Sequence, residues 1–176
     1  MTHVIRKVKR KLRYCFRLHE RELRSGYWGA LVLLILAILI RLLSGSPYRV
    51  WLLLAVNQAL PPLWILSLVD GVLTLAMGFA CGLIMASRRK SEQCAKYRGG
   101  MFFVLLFSLR FAAYPLLFRG AMLAASVICM LLTCLSGVIC SKLFFDTHRL
   151  SGLVAICFLI WNCYLTMLLF SCILSF

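Results

Sequence analysis

Two ionisable residues stand inside long apolar runs: Asp70 in WILSLVDGVLTLAMG and Arg110 in FFVLLFSLRFAAYPLLF. An ionised side chain at the centre of a bilayer costs at least a few kcal/mol unless it is paired or wet. Their depths match. Asp70 follows Pro61 by nine residues, about 13.5 Å of helix, and Arg110 precedes Phe118 by eight, about 12 Å, at ~1.5 Å per residue. If the two segments run antiparallel, the acid and the base meet at one level, in the outer half of the membrane. The expected chemistry is an ion pair, closed directly or through a ligand or water. Such a pair either lines a cavity or staples two helices together.

Other candidates are less sharply marked. Asn57 and Gln58 precede Pro61-Pro62, where the mouth of a pocket would lie. Trp64, Tyr114, Trp161 and Tyr164 offer broad faces to a flat apolar ligand, although core packing or interface anchoring is the commoner use of each. Gly78 and Gly82 form a GxxxG pair that permits close helix contact, either within the chain or between two copies. Seven of the nine cysteines lie in apolar runs, with no CxxC and no Cys/His cluster, so they read as buried, reduced thiols. His3, His19 and His148 flank the apolar runs, which argues against a histidine haem ligand. No nucleophile–base or metal constellation is present, so neither an enzyme nor a metal protein is expected, and no cofactor is required.

The elements that must carry these residues follow from composition. The chain has 176 residues, 63% of them apolar, and a mean hydropathy of +0.95. A soluble domain is about half apolar, and one this small leaves roughly a third of its surface in water. The excess must therefore face lipid. The net charge of +15 does not point to nucleic acid, because the basic residues sit before and between the apolar runs, as helix flanks at an anionic membrane face do.

Five apolar segments are legible, at residues 27–43, 61–87, 99–118, 121–143 and 150–176, each long enough for a bilayer core about 30 Å thick. The fold class is an all-α membrane bundle of five transmembrane helices. Residues 1–26 form a basic leader, either an amphipathic helix on the membrane surface or a solvated tail. An uncleaved first span is expected rather than a signal peptide, because Ser44-Gly45-Ser46-Pro47 is a poor cleavage site. The run 44–60 reads as a loop, Pro61-Pro62 opens the second helix, and residues 144–149 read as another loop. Of the twenty Lys and Arg residues, sixteen fall on the side shared by the leader, the 88–98 linker and the 142–149 region. Arg41, Arg49 and Arg119 fall on the other side. That bias predicts a cytoplasmic N-terminus and an outside C-terminus, in what is expected to be a bacterial plasma membrane.

Several elements recur in a known order. The second segment opens with Pro61-Pro62 and continues through Val69-Asp70 to Met77-Gly78-Phe79-Ala80. The third ends in Ala113-Tyr114-Pro115-Leu116-Leu117-Phe118 before a short turn. The fifth carries Cys157-Phe158-Leu159-Ile160-Trp161, then Tyr164 and Leu168. In order and spacing the chain from Asn57 onward resembles the TspO/MBR family, the translocator or tryptophan-rich sensory proteins. It departs from the family at Ala59, Asp70 and Ala113, where the family has tryptophans. Arg110 replaces an asparagine, and Val127 falls near a family aspartate. The resemblance implies a five-helix bundle binding porphyrins, and in some members sterols or synthetic ligands, in a pocket beneath the first loop, and helices that often pair as dimers.

The reading is therefore a membrane receptor or carrier for a flat hydrophobic ligand, porphyrin-like, held between helices. Its partners are lipids and that small molecule, with a homodimer as one use of the glycine pair, and not nucleic acid. The alternatives are a small transporter or channel gated by the Asp–Arg pair, or a scaffold without ligand. Light-driven porphyrin breakdown, proposed for similar proteins, would be the enzymatic variant.

Overall fold

The computed structural model describes residues 20–44, 62–87, 93–118 and 122–174. They form five helices: α1 Glu20–Ser44, α2 Leu63–Ala86, α3 Gln93–Phe118, α4 Leu123–Thr147 and α5 Arg149–Leu174. Each is long and apolar enough to cross a membrane, and no strand occurs among the described residues. Helices follow from the solvent. Lipid offers no hydrogen-bond partners, so each peptide group must be satisfied within its own segment. The in-span hydroxyls obey the same rule. Thr133, Ser141, Thr147 and Thr166 each donate to the carbonyl four residues back, at 2.7–2.8 Å.

Helix bounds differ from the expected segments in three places. Helix α1 begins at Glu20, so the last part of the basic leader is helical and continuous with the span. Residues 1–19 lie outside the described residues. Helix α3 begins at Gln93, within the expected linker, and the Lys96 ammonium donates to the Ser87 carbonyl just past the end of α2. The expected loop 144–149 is reduced to one joint. Helix α4 runs through Thr147, and only His148 is extended, at φ −150° and ψ 115°, before α5 starts. The polar run Asp146–Arg149 suggested a loop, yet polar residues at a membrane face can stay helical. The joint closes because the His148 N–H reaches Phe144 O at 2.8 Å and the Gly152 N–H reaches His148 O at 3.0 Å. Gly152 also lets α5 lie on α4, since a Cβ there would fall 2.5 Å from the Phe145 Cα.

The helices close into a ring in the order α1, α2, α5, α4, α3, with α3 returning to α1. Phe103, Phe107, Phe144 and Phe158 fill the centre, with Phe103–Phe107 ring centroids at 4.8 Å and Phe107–Phe158 at 5.4 Å. Helix α1 is joined mainly to α2, with close backbone contact at a seam of glycines. Gly29 lies over Gly78 and Gly82, while Gly82 faces Ser25 and Gly26. A Cβ at Gly78 would meet Gly29 O at 2.7 Å and Ala30 Cα at 3.0 Å. The GxxxG face is thus occupied inside the chain. Each described cysteine is a free thiol; Cys140 is buried, whereas Cys157 and Cys163, expected to be buried, lie on the outer helix surface.

Candidate functional site

Asp70 on α2, Arg110 and Tyr114 on α3, and Trp161 and Asn162 on α5 converge between the three helices. Arg110 and Tyr114 are four residues apart, which puts both on one face of α3. Trp161 and Asn162 are adjacent and diverge, so α5 reaches the acid with one and the base with the other. The Arg110 Nη2 donates to Asp70 Oδ1 in a direct ion pair. The Trp161 indole N–H donates to the same oxygen at 3.0 Å, and the Tyr114 hydroxyl donates to Asp70 Oδ2 at 2.8 Å. Arg110 also bonds the Tyr114 oxygen at 3.2 Å and, through Nη1, the Asn162 side-chain oxygen. Asn162 Nδ2 passes on to Phe158 O at 2.7 Å, and the Phe158 ring lies 4.7 Å from the guanidinium carbon.

Both carboxylate oxygens therefore have donors, and the cation has an acid, an amide and an aromatic face. A buried network of this kind is tolerated when its members are satisfied. Exposure divides the pair unevenly: the Arg110 side chain is 1% exposed and that of Asp70 is 23%. The acid has an open side, and it faces a cavity.

That cavity, about 100 Å³, lies between α1, α2 and α3. Helix α1 contributes Leu34, Ala37, Arg41 and Ser44; α2 contributes Asp70, Gly71, Thr74 and Leu75; α3 contributes Phe111 and Tyr114. The walls are chiefly apolar. Gly71 leaves room in it, because a Cβ at that position would meet nothing within 4 Å. Arg41, in the last turn of α1, reaches across to α2, where Nη2 donates to the Ser67 hydroxyl at 2.5 Å.

Of the residues singled out in the sequence, Asp70, Arg110, Tyr114 and Trp161 come together. Tyr164 packs on Trp161, with ring centroids 5.4 Å apart, but is not a cavity wall. Trp64 does not join them. It is 67% exposed on the outer face of α2, six residues from Asp70 and so not on the acid's side of the helix. Pro62 is the exposed residue preceding α2, and Asn57 and Pro61 lie outside the described residues. Gly78 and Gly82 pack against α1, away from the cavity.

Three participants were not expected. Asn162 had a signal, a lone amide in an apolar run. Arg41 was counted only as a flanking charge, and Gly71 carries no mark that distinguishes a cavity wall from a lipid-facing gap. Among the described residues no group of three His, Cys, Asp or Glu side chains could hold a metal.

Comparison with known proteins gives one match. A family model described as the TspO/MBR family matches residues 29–174, which takes in nearly all of the five-helix bundle. Neither a curated protein nor a solved structure matches the chain.

Proposed function

The chain belongs to the TspO/MBR family, and from that premise we propose that it is a membrane receptor or carrier for a flat hydrophobic ligand, a tetrapyrrole for instance. The observation that carries the reading is the cavity between α1, α2 and α3, apolar along its walls and floored by Asp70 and Tyr114. Ligand sites have that build, an apolar hollow with a few convergent polar groups that fix orientation. The reading is one of binding and hand-over, not of catalysis.

At about 100 Å³ the cavity is smaller than the roughly 300–1,000 Å³ of sites that enclose drug-sized ligands. A macrocycle then needs α1 and α3 to part. Their contact is slight beside that of α1 with α2, and α1 is the span with the least of its length buried. The ligand slides in from the lipid side and lies along Phe111.

The experiment is a titration of the purified protein in detergent with protoporphyrin, followed by tryptophan quenching. Saturable quenching is expected in the wild type and its loss in Gly71→Phe, which adds a ring to the cavity wall at a position whose Cβ meets nothing within 4 Å. Absence of saturation in the wild type, or undiminished binding in Gly71→Phe, overturns the reading.

The basic bias supports a cytoplasmic N-terminus in a bacterial plasma membrane. Cys94, exposed in the first turn of α3 among basic residues, reports on this. In a variant retaining only that cysteine, a membrane-impermeant maleimide is expected to label permeabilised cells and not intact ones. Labelling of intact cells reverses the orientation.

A further inference from the structure

We propose that the cavity selects a ligand ending in an anionic group, a carboxylate or phosphate, and that Arg41 is the residue that holds it. The inference rests on the binding site described above and names the class of molecule it takes.

Two charged residues line the cavity, Asp70 and Arg41. Asp70 is answered by Arg110 from its far side, and both of its oxygens accept hydrogen bonds. Arg41 has no such answer: among the described residues Asp70–Arg110 is the one ion pair. Sequence makes the imbalance firmer, since the chain has five acids and the other four are Glu20, Glu22, Glu92 and Asp146. Glu20 and Glu22 lie at the far end of α1, about 30 Å away at ~1.5 Å per residue. Asp146 is in the last turn of α4, at that same far end of the bundle, and Glu92 directly precedes α3 in the sequence.

The cavity therefore carries one positive charge more than it neutralises, beside an apolar wall of Leu34, Leu75 and Phe111. An arginine near a helix end ordinarily turns outward to the membrane surface. Arg41 is exposed in this way, and it also lines the hollow and bonds Ser67 across the gap between α1 and α2. That bond occupies one of five N–H donors and leaves a fork suited to a carboxylate or phosphate. A neutral ligand of the same shape would make no ionic contact with that fork.

Two sources supply this chemistry, a free amphiphile or the headgroup of an anionic lipid. The test compares protoporphyrin, a diacid, with its neutral dimethyl ester, on the full-length protein in phosphatidylcholine nanodiscs with tryptophan quenching as readout. The wild type is expected to bind the diacid about tenfold or more tighter than the ester, as a charge-assisted contact implies. Arg41→Gln is expected to lose that preference, with diacid binding weakened to the level of the ester, and Arg41→Lys to keep most of it.

Adding phosphatidylglycerol to the nanodiscs separates the sources. Competition assigns the group to a lipid, and unchanged affinity assigns it to the free molecule; either supports an anion site. Equal affinity of wild type for diacid and ester, or a preference that survives Arg41→Gln, overturns the proposal and leaves the binding site standing. Absence of saturable binding by either compound, with the Gly71→Phe variant no different, overturns the site itself.

Discussion

Asp70→Asn is expected to destabilise the folded bundle by about 3–5 kcal/mol, and Arg110→Gln by distinctly less. Removing one member of a buried pair leaves the other charge uncompensated, and that penalty is what such a variant measures. The two survivors here differ. In Asp70→Asn the survivor is Arg110, 1% exposed, whose guanidinium cannot shed its proton and retains only the Asn162, Tyr114 and Phe158 contacts. In Arg110→Gln the survivor is Asp70, which keeps its donors from Trp161 and Tyr114 and opens on the cavity. The cost there is expected to be about 1–3 kcal/mol.

The double variant, Asp70→Asn with Arg110→Gln, carries no buried charge and is expected to be more stable than Asp70→Asn alone by at least about 1 kcal/mol. Reversible unfolding in mixed detergent micelles measures all four proteins. A larger loss for Arg110→Gln than for Asp70→Asn, or strict additivity in the double variant, contradicts the network described here.

The second large effect concerns the seam between α1 and α2. Gly82→Leu is expected to cost at least the upper part of the roughly 1–3 kcal/mol usual for overpacking, because the first carbon added already meets Ser25 O and the Gly26 Cα. Those are backbone atoms, which cannot rotate aside as the end of a side chain can. Gly78→Leu meets Gly29 O and Ala30 Cα in the same way. Gly71→Leu is the control on the same helix, with nothing within 4 Å of its Cβ, and is expected to change stability by less than about 1 kcal/mol. Since α1 is held chiefly by this seam, the two seam variants are also expected to raise the protease susceptibility of the folded protein while the control does not. A seam variant as stable and as protease-resistant as the control would falsify the packing assigned to α1.

The membrane setting, the number of spans and the meeting of Asp70 with Arg110 were all legible along the chain. Hydropathy and depth are one-dimensional, and a rise of ~1.5 Å per residue carries them into space without knowledge of neighbours. Helix ends were less legible. Residues 93–98 and 146–147 are polar enough to read as connections, yet their helices continue because a membrane face tolerates both states.

Trp64 shows the deeper limit. It and Trp161 look equivalent as aromatic residues in apolar runs, but one faces outward on α2 and the other donates its N–H to Asp70. In lipid both faces of a helix are apolar, so periodicity does not say which points inward. The same ambiguity hid Gly71 and left the Gly78–Gly82 pair undecided between its own chain and a second copy. What belonged to the chain alone was its solvent and the level of each charge along a helix. What required the assembled bundle was rotation about each helix axis, since only close contact between neighbours distinguishes a wall of the cavity from a surface on the lipid.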